Sequence, residues 1–162
     1  MSANSSLLLV VPRRQALCGA AASLVLFAAA RAAAPFQLIT PAEAALPPGK
    51  LPSFEIRGSP TRLPRVTMMS PPPGGGAVYS PLDFKLRFRA FGGAAINPNL
   101  VVVTYVKKPD IDMTSRIKPF ITASGIDIPQ AEVPPGLHQF WIELMDTDGR
   151  PGARAVAFQV LK

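Results

Sequence analysis

The sequence predicts an all-β domain folded as an antiparallel β-sandwich. Residues 82–90 alternate apolar and polar side chains without interruption, and residues 138–146 repeat the pattern. Clusters of Pro, Gly, Asn and Asp separate such runs, and no window has sustained helical periodicity. Because successive side chains of a strand point to opposite faces, short alternating runs between turns predict about seven strands in two packed sheets.

The N-terminal part of the chain has the composition of an export signal. The pair Arg13 and Arg14 precedes residues 16–30, which are fifteen residues without a charge. A membrane-spanning helix needs about 20 apolar residues, so this run suits a cleavable signal better than a span. The pair, followed by Ala16 and Leu17, resembles the motif of a bacterial twin-arginine signal peptide. A general secretory signal, in which the arginines only supply positive charge, is the alternative.

Small residues suited to signal cleavage occur in three Ala-x-Ala motifs, which end at residues 32, 34 and 44. Pro35 directly follows the second motif and disfavours cleavage there. We therefore predict a signal segment over residues 1–44, with cleavage between about residues 32 and 45.

A proline-rich segment follows the predicted signal. Taking Ala45 as the first mature residue removes Cys18, the sole cysteine, and leaves 14 basic and 9 acidic residues. Residues 45–64 carry five prolines, and proline lacks the N–H that a helix or a central strand requires. We predict an extended linker over residues 45–64, able to pack as an edge strand, and a β domain over residues 65–162.

The strands of the β domain differ in how strongly the sequence marks them. Residues 82–90 place apolar side chains on one face and charged ones on the other, as in a half-buried strand. Residues 100–106 are continuously apolar and β-branched, which favours a central strand. Residues 138–146 point Phe140 and Ile142 inward. The remaining predicted strands are residues 66–70, 117–122, 126–133 and 155–161.

Two segments are similar to a known family. Residues 68–71, Met-Met-Ser-Pro, stand before a Gly-rich turn. Residues 136–149 begin at a Pro-Gly turn, alternate inward side chains and end in an Asp-Thr-Asp-Gly turn. Over residues 62–162 the chain therefore resembles a bacterial immunoglobulin-like domain. The resemblance implies a structural likeness without shared catalytic residues, and His138 stands at an inward position where the family commonly has a tyrosine.

The counts of histidine and cysteine limit the chemistry. The chain has one of each, His138 and Cys18, so sites built from several such ligands are excluded within one chain. A nucleophilic triad would need His138, which the strand register points inward. We interpret it as a structural histidine bonded to the backbone, and we expect no catalytic residue, no cofactor and no enzymatic activity.

Two Asp-x-Asp pairs are the remaining candidates for a metal site. Asp110 with Asp112, and Asp146 with Asp148, offer oxygen ligands of the kind that calcium prefers. If the strands over residues 100–106 and 138–146 are antiparallel neighbours, the loops that follow them lie at opposite ends of the sandwich. We therefore interpret each pair as turn aspartates that cap backbone N–H groups, and we expect no metal site.

A partner surface is predicted on the face of the sheet that contains Trp141. The alternation that buries Phe140 turns Trp141 and Met145 outward, and aromatic and Met residues are enriched where partners bind. The proline-rich lead, residues 46–64, would cover Trp141 in the alternative interpretation. Two sets from the neighbouring strand are candidates to share the outer face: Tyr105 with Val101 and Val103, or Leu100 with Val102 and Val106.

The basic strand suggests a second class of partner. Lys85, Arg87 and Arg89 lie on one face of the strand over residues 82–90, and the whole chain has a net charge of +7. Such a row attracts anions, so an acidic glycan or an anionic envelope surface is a candidate partner. We expect no nucleic-acid partner, because an exported protein meets little nucleic acid.

Taken together, the sequence predicts a periplasmic or secreted protein, exported by the twin-arginine or the general secretory route. We expect a non-catalytic immunoglobulin-like module that binds or interacts with a protein partner in the envelope. One alternative is a small accessory subunit of a periplasmic enzyme complex, and another is a module that binds carbohydrate or an anionic polymer. No transmembrane span is expected after processing.

Overall fold

The structure, a computed structural model, describes residues 35–53, 62–74 and 76–162. The predictions for Arg13, Arg14 and most of the signal segment, and for part of the proline-rich linker, lie outside the described residues. All described residues belong to one compact unit.

Strands dominate the described part of the chain, and the helices are short. The two α-helices are α1 (Pro41–Ala44) and α2 (Thr114–Ile117), and 3-10 turns cover Pro98–Leu100 and Lys118–Phe120. The strands are β1 (Phe36–Gln37), β2 (Arg65–Ser70), β3 (Leu82–Arg89), β4 (Val102–Tyr105), β5 (Ile111–Asp112), β6 (Ile121–Thr122), β7 (Gly125–Glu132), β8 (Gly136–Met145) and β9 (Pro151–Val160).

The described strands form two sheets. The first has the order β1-β7-β3-β2, with β6 also pairing with β7, and the second has the order β5-β4-β8-β9. Every pair is antiparallel except β1 with β7, which is parallel. Side chains of both sheets share one apolar core. The prediction of an all-β fold with two packed sheets is therefore confirmed.

The core forms because alternate residues of long strands point inward. In β3 the buried residues are every second one, from Leu82 to Phe88, and their neighbours are exposed or half-buried. The two sheets meet through aromatic rings, since the Phe84 ring centroid of the first sheet lies 5.5 Å from that of Phe140 and 5.8 Å from that of Phe158 in the second. Burying side chains of this size stabilises a fold by about 2–3 kcal/mol each.

The strand predicted over residues 117–122 is wrong for most of its length. The chain forms helix α2 and a 3-10 turn there, and only Ile121–Thr122 is a strand. The Asp112 carboxylate accepts a hydrogen bond from the Thr114 N–H at 2.8 Å and starts the turn. Pro119, in the 3-10 turn, removes a donor that a longer strand would need.

The described chain before β2 also belongs to the β domain, which differs from the predicted boundaries. We call residues 35–49 the N-terminal strap. Its start, β1, pairs with β7 of the first sheet, and its end forms a bridge between Pro48 and Lys107, beyond β4 of the second sheet. The prolines that predicted a linker contribute carbonyl groups instead, as Pro47 does to the Lys108 N–H at 2.9 Å. Residues 35–49 thus pair with both sheets of the β domain, although they precede residue 65.

Candidate functional site

The structure does not expose the predicted interaction face. Tyr105 is 0% exposed and lies in the core, Trp141 is 8% exposed, and Met145 is half-buried. The alternation of β4 explains Tyr105, because Val103 and Tyr105 point inward while Val102 points outward. The exposed apolar patch on which that prediction depended is therefore absent at two of its three residues.

His138 forms a buried hydrogen-bonded pair with Tyr105. Its Nε2 atom lies 2.7 Å from the Pro134 carbonyl oxygen, and its Nδ1 atom lies 2.9 Å from the Tyr105 hydroxyl. A carbonyl only accepts, so Nε2 donates the hydrogen and Nδ1 accepts one from Tyr105. Burial lowers the pKa of His138, and the positive charge of Lys107 adds to this effect. This geometry agrees with the predicted structural histidine bonded to the backbone.

The two aspartate pairs lie at opposite ends of the second sheet, as predicted, because β4 and β8 are antiparallel. Asp146 is buried, and its carboxylate accepts hydrogen bonds from the backbone N–H groups of Asp148 and Arg150 and from the Arg150 guanidinium. The Asp112 carboxylate accepts a hydrogen bond from the N–H of Thr114, the first residue of α2. Within the described residues, no group of three or more His, Cys, Asp or Glu side chains is arranged to hold a metal ion.

Helix α1 of the strap is fixed by a carboxylate bound on two sides. The Thr40 N–H donates to Glu43 Oε2 at 2.8 Å, and the Glu43 N–H donates to the Thr40 hydroxyl at 3.2 Å, which forms a capping box. Arg116 of α2 donates two hydrogen bonds to the same carboxylate, at 2.9 and 2.6 Å. These bonds lower the pKa of Glu43 to about 2, with those from Arg116 contributing most.

Two cations hold the strap to the rest of the domain. Arg116 also donates to the Leu38 carbonyl at 2.9 Å. The Lys107 ammonium donates to the carbonyls of Ala44 and Leu46, at 2.7 and 3.1 Å, and lies 5.3 Å from the centroid of the Tyr105 ring. Lys107 and Arg116 thus have internal structural roles, although their charges would otherwise mark them as ligand-binding residues.

A basic cluster lies on the outer face of the first sheet. Arg65 of β2 stands directly opposite Arg89 of β3, and Arg87 stands opposite Thr67. All three arginines are exposed. The guanidinium carbons of Arg65 and Arg89 lie 5.6 and 5.1 Å from the centroid of the Phe91 ring. We call Arg65, Arg87, Arg89 and Phe91 the basic face.

Charge is balanced at one end of β3 and unbalanced at the other. Lys85 lies 3.6 Å from the Asp83 carboxylate and 3.5 Å from that of Asp127. In the part of the chain that the structure describes, no carboxylate forms an ion pair with an arginine of the basic face. A groove of about 380 Å³ adjoins this face, and its lining includes Arg87, Met69, Thr122 and Ser124 as well as the ion pair of Lys85 with Asp127.

A second basic groove has less capacity to bind an anion. It measures about 490 Å³ and contains Lys50, Lys107 and Lys108. The Lys107 ammonium is already bonded to two carbonyls, so it is less available to an anion. The basic face is therefore the stronger candidate site.

Part of the basic face is evident from the sequence, because the alternation over residues 82–90 places Arg87 and Arg89 on one exposed face with Lys85. Arg65 is not evident, because the pairing of β2 with β3 cannot be obtained from periodicity. Phe91 is not evident either, because it lies beyond the alternating run. A basic residue at the start of the predicted strand 66–70 was the available signal.

Comparison of the chain with protein-family models, curated proteins and solved structures finds no match. Among the described residues, no helix has the length and apolar character required to cross a membrane.

Proposed function

We propose that the protein is an exported, non-catalytic binding module with an immunoglobulin-like β-sandwich, and that it binds an anionic polymer through the basic face. The observation that carries this proposal is the cluster of three exposed arginines without carboxylate partners in the described chain. The polymer is a carboxylated or phosphorylated envelope glycan in chemical class. Export is supported by the resemblance of the segment around Arg13 and Arg14 to a twin-arginine signal.

The arginines are arranged in a way that destabilises the fold, which supports a role for them in binding. Directly opposed residues of an antiparallel pair have Cβ atoms about 4.5–5.5 Å apart, and like charges at that distance destabilise the sheet. Arg65 and Arg89 are opposed in this way. Phe91 orients both guanidiniums, and the planar guanidinium matches carboxylate and phosphate groups well.

The composition of the face favours a linear polyanion over a folded protein. Protein interfaces depend on buried aromatic anchors at their centre, and the predicted anchors Trp141 and Tyr105 are buried within this chain. The basic face offers a row of charges along β2 and β3, with the hydroxyl groups of Thr122 and Ser124 in the adjoining groove.

A protein partner is the second candidate function, and a different surface supports it. Leu137 and Tyr79 are 69% and 66% exposed. Leu137 pairs in register with Gln159 of β9, and Val78, next to Tyr79, forms a bridge with Val160. Exposed apolar side chains on neighbouring segments are typical of protein interfaces.

Titration with polygalacturonate, a linear polycarboxylate, tests the proposed function, with neutral dextran as the control ligand. The double variant Arg87→Gln/Arg89→Gln should bind polygalacturonate at least about tenfold more weakly. The matched variant Arg154→Gln/Lys118→Gln removes the same charge from exposed residues outside the basic face, and it should change affinity by less than about twofold.

An equal loss of affinity in both double variants would mean that only net charge matters, which would overturn the basic face as a site. No binding of polygalacturonate by the wild-type chain would overturn the polyanion proposal. In that case, capture of a protein that is lost on Leu137→Asp would favour the second candidate.

A further inference from the structure

One of the three candidate signal-cleavage motifs lies within the N-terminal strap, and the other two precede it. The motifs end at residues 32, 34 and 44. The last one, Ala42-Glu43-Ala44, lies within helix α1. Its three residues are therefore part of the folded strap, and its central side chain is the carboxylate that Arg116 and Thr40 bind.

Cleavage after Ala44 would remove the half of the strap that enters the core. Leu38 and Ile39 are 0% and 1% exposed, and both backbone N–H groups donate to the Glu132 carbonyl. Phe36, which packs its ring against Phe120 with centroids 4.8 Å apart, would also be lost. The remaining domain would expose an apolar surface and an edge of β7.

The same cleavage would leave two cations without their partners. Arg116 would lose the Glu43 carboxylate and the Leu38 carbonyl. Lys107, which is 9% exposed, would keep the Leu46 carbonyl but lose the Ala44 carbonyl, because Ala44 would leave with the cleaved signal. A buried charge without its partner is strongly destabilising.

We propose that the signal is cleaved after Ala32, so that the mature chain begins at Ala33 and keeps the whole strap. The reaction is hydrolysis of the peptide bond between Ala32 and Ala33, with Ala30 and Ala32 as the small residues that a signal peptidase requires. Pro35 disfavours the motif that ends at Ala34. The inference rests on the export part of the proposed function and is independent of the basic face.

Expression of the full chain in a bacterium with both export routes tests this proposal. The exported protein is purified, and its N-terminus is determined by Edman sequencing and intact mass. The expected N-terminal sequence is Ala33-Ala34-Pro35-Phe36. A chain that begins at Ala45 would overturn the proposal, because the strap would then be absent from the mature protein. A chain that begins at Pro35 would overturn the choice of Ala32.

Two matched variants introduce the same bulky residue at the same position of each motif. Ala30→Phe should reduce the processed fraction at least about tenfold, because the pocket that receives this position accepts small residues. Ala42→Phe should leave processing unchanged, and Ala42 is exposed, so the domain should still fold. The opposite pattern would overturn the proposal. Failure of the wild-type chain to be processed would overturn both this cleavage and export, whereas polyanion binding is measured separately.

Discussion

At the residue scale, burial lowers the pKa of His138 and so favours its neutral imidazole, and two hydrogen bonds then select the tautomer. The Pro134 carbonyl requires a hydrogen on Nε2, and the Tyr105 hydroxyl then donates to Nδ1. Burial also raises the pKa of Tyr105 to about 12, with the negative charge of Glu43 adding to the effect. The pair is a structural element of the core and uses the one histidine of the chain.

This pair makes stability depend on pH in a predictable direction. The pKa of His138 is lowered in the folded state, so below about pH 6.5 the unfolded chain binds a proton that the folded chain does not. The free energy of unfolding should therefore be constant well above pH 6.5 and fall as the pH is lowered through and below 6.5. Urea unfolding at these pH values measures the change. His138→Gln, which does not titrate, should lack it, and a wild-type curve that is flat over this range would contradict a neutral imidazole.

Glu43 predicts a second loss of stability at lower pH. Its folded pKa of about 2 lies below the ordinary value of 4.5, so stability is fully present above about pH 4.5 and is lost as the pH falls toward 2. Because Arg116 is partly exposed and solvent screens the pair, we expect Glu43→Gln to remove only about 1 kcal/mol of this acid dependence. Unfolding curves at pH 5 and pH 3 measure it. Glu143→Gln, at an exposed glutamate of β8, is the control and should retain the wild-type dependence.

At the element scale, sequence periodicity predicted the strands that bury one face. It failed where tertiary contacts determine the secondary structure of a segment. The run over β3 alternates in the sequence and in its burial. Residues 117–122 are rich in apolar side chains, but the hydrogen bond from the Thr114 N–H to the Asp112 carboxylate and the missing donor of Pro119 favour helical turns. The strap has little periodicity because its residues enter the core one or two at a time, so no local pattern could reveal it.

The strap should contribute to global stability as strongly as a strand does. Leu38→Ala should lower the free energy of unfolding by about 3 kcal/mol, since it removes a fully buried aliphatic side chain and leaves a cavity. Gln37→Ala, at the exposed neighbouring position of β1, should change it by less than about 0.5 kcal/mol. Thermal or urea unfolding of the full chain measures both. Equal stability of the two variants would mean that the strap is not part of the cooperative unit.

At the scale of the whole molecule, the candidate site depends on which strands are neighbours. The row of Arg87 and Arg89 follows from β3 alone, whereas Arg65 joins it only through the register of β2 with β3. Trp141 differs from Arg65, because its predicted exposure is not found. The alternation of β8 places it on the outer face, but in the folded domain it is only 8% exposed. Side-chain alternation therefore predicts the direction of a residue but not what covers it.

The charge distribution of the molecule predicts that the arginines proposed to bind the polyanion also lower the free energy of unfolding. Arg87 lies on the same face as Arg89 and opposite Thr67, so Arg87→Thr relieves repulsion and adds a β-branched pair. We expect the free energy of unfolding to rise by about 0.5 kcal/mol at low salt, while binding of polygalacturonate weakens. The gain should shrink near 1 M salt, where the screening length is about 3 Å. Arg154→Thr, at an exposed position of β9, changes strand propensity without relieving this cluster. If both variants raise the free energy of unfolding equally at low salt and keep the gain at high salt, strand propensity is the cause of the gain. Charge repulsion among the arginines of the basic face would then not lower the stability of the fold.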